Sequence, residues 1–105
     1  MSLTKTIKQS SESYLIYGDF LAVMTSPETI TAYECSALDK DGASATSVVL
    51  TTGSEIVGTG DAYGRLFVRV KDGIVGKSPY HLTIKVTTST GNKWEVDGLL
   101  VIREQ

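Results

Sequence analysis

The sequence predicts a single all-β domain folded as a two-layer sandwich, and three observations lead to this fold class. The chain has 105 residues, a size typical of one domain that can bury a core without a metal or disulfide. Hydrophobic residues make up 41% and charged residues 21%, close to the globular average, which argues against gross disorder. Short segments rich in Thr and Val alternate with turn residues, and these side chains suit a pleated sheet better than a helix.

The clearest strand spans residues 80–86, where apolar and polar side chains alternate with the period of two expected of a half-buried strand. Residues 87–92 supply turn chemistry, with Gly91 free to take a positive φ angle. The alternation resumes at residues 93–97 and directs Trp94 toward the core, which predicts a hairpin. Gly98 interrupts the pattern and predicts a bulge.

Upstream segments supply the remaining strands. Residues 66–70 alternate before a turn, and residues 47–51 predict a shorter strand. Residues 29–38 are rich in strand-forming residues, but their apolar side chains fit two different inward-facing registers. A β-bulge within the strand would reconcile the two registers, and the turn at residues 39–42 ends the strand.

The N-terminal part predicts one broken strand, made of residues 14–17 and 19–24 with a kink near Gly18 and an end at Ser26-Pro27. Residues 1–11 are polar and are predicted to form a flexible N-terminal segment, so that the domain comprises residues 12–105.

About seven short strands at regular spacing favour an immunoglobulin-like sandwich of the Ig or fibronectin III type. The hairpin beginning at Tyr80 is similar to the F–G pair of such domains, and Tyr80 stands where a tyrosine corner would place it. Gly73 and Gly76 would let the chain reverse just before this strand without a Cβ clash. The predicted structural anchors are Tyr80, Trp94, Gly73, Gly76 and Gly91.

Motifs that could carry chemistry are incomplete. Gly76-Lys77-Ser78 lacks the earlier glycine and the following helix of a phosphate-binding loop. Asp39-Lys40-Asp41-Gly42 begins like a calcium loop, but the twelfth position is Leu50 rather than Glu. We therefore expect ordinary turns at both places.

Single reactive residues give no further support for catalysis or cofactors. Cys35 and His81 are the only cysteine and histidine, too few for a zinc site, and they would form a nucleophile pair only by an accident of register. The glutamates form no paired-carboxylate pattern. The sequence predicts no catalytic, cofactor or metal site and no small-molecule substrate, and therefore a protein that is not an enzyme.

Net charge, apolar runs and the cysteine count indicate which classes of partner to exclude and where the protein is located. A net charge of −2 argues against nucleic acid, and no apolar run is long enough to span a membrane. No signal peptide is recognisable near Met1, and a single cysteine cannot form the intramolecular disulfide common in small secreted domains. We expect the protein to be located in the cytoplasm, or in a particle assembled there.

The aromatic residues suggest a binding surface, because exposed aromatic side chains are enriched at protein interfaces. Phe67 is the best candidate, since Leu66 and Val68 claim the opposite face of the strand, and Tyr63 is the second. An exposed edge strand is another route to a partner. The alternative to a module that binds other proteins is an adhesion or carbohydrate-binding module, in which Trp94 or Tyr63 would stack on a sugar. The aromatic residues considered for this surface are Tyr14, Tyr17, Phe20, Tyr33, Tyr63 and Phe67.

From about Glu12 onward, a series of short motifs follows in a recognisable order: Glu12-x-Tyr14, Asp19-Phe20-Leu21, Glu28-Thr29-Ile30, Val68-x-Val70-Lys71-x-Gly73-x-x-Gly76 and residues 80–91. The most distinctive part is the turn at residues 71–76 with its two glycines, followed by the strand that begins at Tyr80 and its hairpin. In these motifs the sequence resembles small Ig-like proteins encoded among the structural genes of tailed bacteriophages and prophages. The resemblance implies a structural or assembly role in the head, neck or tail of a virion, with other virion proteins or a second copy as partners.

Overall fold

The computed structural model describes residues 5–25 and 27–104, and within them the chain forms seven strands in two sheets. The strands are β1 (Thr6–Lys8), β2 (Tyr14–Asp19), β3 (Ile30–Leu38), β4 (Ile56–Val57), β5 (Arg65–Val70), β6 (Tyr80–Thr88) and β7 (Lys93–Ile102). Helical structure is limited to one turn of α-helix, α1 (Thr46–Val49), and to 3-10 turns at Leu21–Val23, Gly60–Ala62 and Val75–Lys77. The predicted all-β sandwich is confirmed.

The larger sheet has the strand order β1-β7-β6-β3. The predicted hairpin is β6–β7, in which Ile84 pairs with Val96 and Val86 with Trp94. Strand β3 runs antiparallel to β6, and its register shifts between Ile30 and Ala32. This is the bulge expected in residues 29–38, and it explains why two inward registers compete in the sequence.

The smaller sheet has the order β2-β5-β4, with both pairs antiparallel. The alternation expected at residues 66–70 is confirmed, because Leu66, Val68 and Val70 are buried while Arg65, Phe67 and Arg69 face outward. The two sheets pack through their inner faces, and Gly18 of β2 lies where they approach closely. A Cβ atom there would come within 2.9 Å of Val96 Cγ2.

Four expectations about secondary structure and domain bounds differ from the structure. Residues 47–51 contain the short helix α1 instead of a strand, and only Leu50 bridges to Val70. Strand β2 continues through Gly18 without a break and is followed by a 3-10 turn, so the second half of the expected broken strand is wrong. Strand β7 passes Gly98 with an unshifted register, so the bulge predicted there is absent.

The fourth difference concerns the segment expected to be flexible. Residues 1–4 lie outside the described residues, as does Ser26, but Thr6–Lys8 pairs in parallel with β7. The Lys8 side chain is buried, and its Nζ donates to the backbone carbonyls of Gln9 at 2.7 Å and Asp72 at 2.6 Å. The folded domain therefore begins before residue 12. Strand β1 has only three residues, too few to show a hydrophobic pattern, and it is held by backbone hydrogen bonds to β7 and by the bonds of the buried Lys8 ammonium.

The predicted tyrosine corner is present in the geometry. Tyr80 is buried, and its hydroxyl accepts a hydrogen bond from the Ile74 backbone N–H at 3.1 Å. Gly73 has a φ of +93°, and a Cβ atom there would lie 2.9 Å from Ile102 Cδ1. Gly91 has the positive φ expected of its turn. Gly76 is a correction: its φ is not positive and its surroundings are open, so no Cβ clash is avoided there.

Trp94 lies on the inner side of β7 with Val96, as expected, but it is only half-buried and packs at the margin of the core. Its indole Nε1 is shielded from solvent and has no hydrogen-bond partner among the described residues. None of the helical segments described is long and apolar enough to cross a membrane.

Candidate interaction surface

The outer side of the three-stranded sheet carries a row of apolar side chains. Tyr17, Phe67 and Ile56 occupy directly paired positions on β2, β5 and β4, and Leu15 stands two residues before Tyr17 on β2. Tyr17 is 42% exposed, Leu15 42% and Ile56 53%. We call these four residues, with Arg65 and Arg69 beside them, the apolar face.

The aromatic pair at the centre of the apolar face is well ordered by its neighbours. The ring centroids of Tyr17 and Phe67 are 5.3 Å apart at an interplanar angle of 55°, a tilted arrangement favourable for aromatic pairs. The Arg65 guanidinium carbon lies 4.7 Å from the Tyr17 ring centroid, and its Nε contacts Asp19 Oδ2 at 3.2 Å. A cation over the face of an aromatic ring is attracted to it, so Arg65 packs against Tyr17 at the edge of the aromatic pair.

Charge on the apolar face is predominantly positive. Arg65 is paired with Asp19, whereas the Arg69 guanidinium makes no ion pair or hydrogen bond within residues 5–25 and 27–104. The chain as a whole carries a net charge of −2. A positively charged apolar surface on an acidic protein is suited to a partner surface that combines apolar side chains with a carboxylate.

A second cluster organises the β6–β7 turn. The buried carboxylate of Glu28 accepts hydrogen bonds from Thr88 Oγ1, from Thr90 Oγ1 at 2.6 Å and from Asn92 Nδ2 at 3.1 Å. These hydrogen bonds stabilise the ionised carboxylate and lower the pKa of Glu28 to about 2, and the bond from Thr88 has the largest effect. The donors are side chains of the β6–β7 turn and the backbone N–H of Thr25. The Glu28 carboxylate therefore has its hydrogen-bond partners within the domain, and its role is to stabilise the hairpin turn.

The structure separates the two residues that could have formed a nucleophile pair. Cys35 is buried on the inner side of β3, and desolvation raises the pKa of its thiol to about 12, with Glu55 and Glu34 adding to the shift. His81 is on the outer side of β6, with its Nε2 atom 3.5 Å from Asp97 Oδ1. Cys35 pairs across the sheet with Ile84, whereas His81 pairs with Leu38. The buried thiol has the properties of a structural cysteine.

The two incomplete motifs form internal contacts. Asp39 Oδ1 accepts the backbone N–H groups of Asp41 and Ala43, which closes the expected turn. Lys77 Nζ lies 3.2 Å from Asp41 Oδ2, and Ser78 Oγ accepts the Ile102 N–H at 2.9 Å. Within the described ranges, no three His, Cys, Asp or Glu side chains gather in a way that could hold a metal ion.

Of the two predicted interface residues, Phe67 lies at the centre of the apolar face. Tyr63 follows the 3-10 turn Gly60–Ala62, is half-buried and packs against the core instead. Sequence reasoning did not assign Leu15 or Ile56. Leu15 could have been found from the period of two in β2, which puts it on the same side as Tyr17, but Ile56 lies in a strand of two residues that leaves no pattern.

The comparisons with known proteins concern the fold. The sequence matches no protein-family model and no curated protein. Among solved structures, CopC from Methylosinus trichosporium OB3b aligns with a TM-score of 0.56 and 19% identity, covering 96% of this chain and 87% of CopC. The ZIG-8–RIG-5 IG1–IG1 heterodimer aligns with a TM-score of 0.49 and 12% identity, covering 98% of this chain and 84% of the matched chain. The two-sheet topology and the alignment with CopC show that the chain has an immunoglobulin-like β-sandwich fold.

Proposed function

We propose that this protein is a non-enzymatic structural or assembly module that acts through protein–protein contacts, with the apolar face as its docking surface. The observation that carries the proposal is the paired row Tyr17–Phe67–Ile56 on the outer side of a sheet whose inner side already packs on the core. Tyr17 and Ile56 are exposed, and Phe67 between them is half-buried. Tyr, Phe and Arg are the residue types enriched at protein interfaces, and a contiguous exposed apolar surface is typical of an interaction site.

The partner surface that fits this face combines apolar side chains with at least one carboxylate. Arg69 has no ion pair within the described residues, and Arg65 already shares its charge with Asp19. Two copies meeting face to face would bring their Arg69 side chains toward each other, which disfavours that symmetric arrangement. A different protein, or a different surface of a second copy, is the better complement.

The setting we propose is a phage or prophage particle, in its head, neck or tail. Support comes from the resemblance of residues 12 onward to small Ig-like proteins of tailed phages, and the expected partners are other virion proteins or further copies of this chain. The protein would be found in the bacterial cytoplasm during assembly and afterwards in the virion. Nucleic acid, membrane and small-molecule substrates are not expected partners.

The alternative of an adhesion or carbohydrate-binding module required Trp94 or Tyr63 as an open stacking platform. Both side chains are half-buried and pack against the core. The aromatic residues that are exposed in the described part of the chain are Tyr17 and Tyr33, and the Tyr17 ring is already in contact with Phe67 and Arg65. This arrangement supports a protein contact better than a sugar platform.

Mass spectrometry of particles purified after induction of the host prophage tests the setting. We expect this chain at constant stoichiometry with the capsid or tail proteins through successive density gradients. Its absence from intact particles, together with binding to none of their purified head, neck and tail proteins, would contradict the proposal. A glycan array with specific hits that Tyr17→Ala abolishes would favour the alternative.

A further inference from the structure

Strand β3 forms one edge of the four-stranded sheet, and half of that edge is covered by the chain itself. The Ala37 carbonyl accepts the Ala45 N–H at 2.9 Å, and the Ala37 N–H donates to Thr46 Oγ1 at 3.1 Å. Leu38 bridges to Ser44. The segment before α1 therefore closes the edge from Ala37 onward.

Before Ala37, the edge of β3 has no hydrogen-bonded neighbour among the described residues, although Cys35 itself is only 7% exposed. In an antiparallel pair, the N–H and C=O groups of successive residues point alternately toward and away from the neighbouring strand. Because Ala37 points away from β6, Cys35 and Tyr33 do so as well, whereas Glu34 bonds to β6. No described residue supplies a hydrogen-bond partner for the backbone groups of Tyr33 or Cys35. We call residues 33–35 the open edge.

Charge at the open edge selects what can pair with it. Glu34 is the only charged residue of β3, and it starts a row across the outer side of the sheet in which it pairs with Lys85 and Lys85 with Glu95. The Nζ of Lys85 is 3.9 Å from Glu95 Oε1, so charges along the row alternate as negative, positive, negative. A further strand would continue this alternation with a cation opposite Glu34.

A second copy of β3 is a poor occupant. The antiparallel register that uses all four free backbone groups sets Tyr33 opposite Cys35 of the other copy and Glu34 opposite Glu34. Like charges directly opposite on paired strands are destabilising, and a charged residue on an edge strand is a known way of preventing self-pairing.

We propose that the open edge accepts, as an added antiparallel strand, an extended segment of another protein that carries Lys or Arg opposite Glu34 between two apolar residues. The segment exchanges backbone hydrogen bonds with Tyr33 and Cys35, and one flanking apolar side chain covers the 44% exposed Tyr33. Beside the edge, the outer side of the sheet has an open depression of about 530 Å³ between the row of Glu34, Lys85 and Glu95 and the row of Ala32, Thr87 and Lys93. The cationic side chain would lie at its rim. This site is separate from the apolar face, which is on the other sheet.

Two synthetic peptides test the proposal: Ser-Thr-Val-Lys-Val-Thr-Ser and the same sequence with Glu in place of Lys. Each is titrated to millimolar concentration into the isotopically labelled full chain, with amide chemical shifts and hydrogen exchange as readouts. In the free protein, the amides of Tyr33 and Cys35 should exchange faster than that of Glu34. The Lys peptide should shift the amides of residues 32–36, slow exchange at Tyr33 and Cys35, and bind about fivefold more tightly than the Glu peptide.

Two charge variants complete the test. Glu34→Lys should reverse the preference between the peptides, whereas the matched control Glu95→Lys, two strands away in the same row, should keep it. Equal binding of both peptides, no shifts at residues 32–36, or an unchanged preference in Glu34→Lys would overturn the proposal. Shifts confined to Tyr17 and Phe67 would also overturn it, while leaving the apolar face as a docking surface.

Discussion

The Thr90 hydroxyl donates to the Glu28 carboxylate with the two oxygens 2.6 Å apart, and this bond joins the β6–β7 turn to the segment that leads into β3. Glu28 stands 62 residues earlier in the chain, so the bond connects the β6–β7 hairpin to the segment before a neighbouring strand. Together with the Thr88 and Asn92 bonds, it stabilises the ionised form of the carboxylate.

Acid should weaken this connection in a defined pH range. The folded pKa of Glu28 is about 2, against 4.5 for an unperturbed glutamate, so the folded state binds the proton less readily than the unfolded state. Its contribution to stability is therefore complete above about pH 4.5 and is lost as the pH falls toward about 2. Denaturant midpoints measured down this range should fall less steeply for Glu28→Gln than for the wild type. The exposed Glu34→Gln serves as the matched control and should keep the steeper wild-type loss.

Tyr80→Phe should lower the free energy of unfolding by about 1 kcal/mol, the typical worth of one hydrogen bond. The variant keeps the buried ring and removes only the acceptor of the Ile74 N–H. Thermal unfolding followed by circular dichroism should show a melting temperature reduced by several degrees. An unchanged midpoint would mean that the corner bond adds nothing to stability.

Gly73→Ala and Gly76→Ala should behave differently although only two residues separate them. Alanine at position 73 would adopt an unfavourable positive φ and crowd Ile102, so a loss of about 1–2 kcal/mol or more is expected. At position 76 the surroundings are open and φ is ordinary, so the change should be neutral or slightly stabilising. Equal effects of the two variants in chemical denaturation would contradict this assignment.

Cys35 should react slowly with iodoacetamide near neutral pH while the protein is folded. The thiol is buried and its pKa is raised to about 12, so the thiolate is scarce and inaccessible. Denaturant should release one fast-reacting thiol, detected by mass spectrometry. Rapid alkylation of the native protein would instead indicate an accessible, activated cysteine and would reopen an enzymatic role.

The parts of the fold that the sequence predicted are those with a strong period of two. In β5, β6 and β7 one side is uniformly apolar, so Leu66, Ile84 and Val96 could be placed inside from their spacing alone. The bulge at the start of β3 could also be predicted from the sequence. A one-residue insertion reverses which side chains face inward, and this produces the two competing registers of residues 29–38.

The parts that escaped prediction depend on distant contacts. Strand β1 exists because of its ladder to β7 and the bonds of the Lys8 ammonium, and neither is visible in three residues of sequence. Residues 46–49 form a helical turn although Thr and Val favour strands, and the Thr46 side chain accepts the Ala37 N–H at the edge of β3. For the interaction surface, the alternation in β5 predicted that Phe67 faces outward. Its neighbour Ile56 could be recognised only from the pairing of β4 with β5.

The most direct test of the proposed docking role is the affinity of this protein for purified head, neck and tail proteins of the particle proposed as its setting. The double variant Leu15→Ala/Tyr17→Ala truncates two of the four apolar side chains of the apolar face. Leu99→Ala is the control, since Leu99 is 41% exposed on the other sheet. We expect at least one of these proteins to bind the wild type and the Leu99→Ala control equally. The double variant should bind it about 30-fold more weakly, the effect of losing a hot-spot side chain, while unfolding at a similar temperature. Binding unaffected by the double variant, or a strictly monomeric protein that binds none of them, would contradict the account.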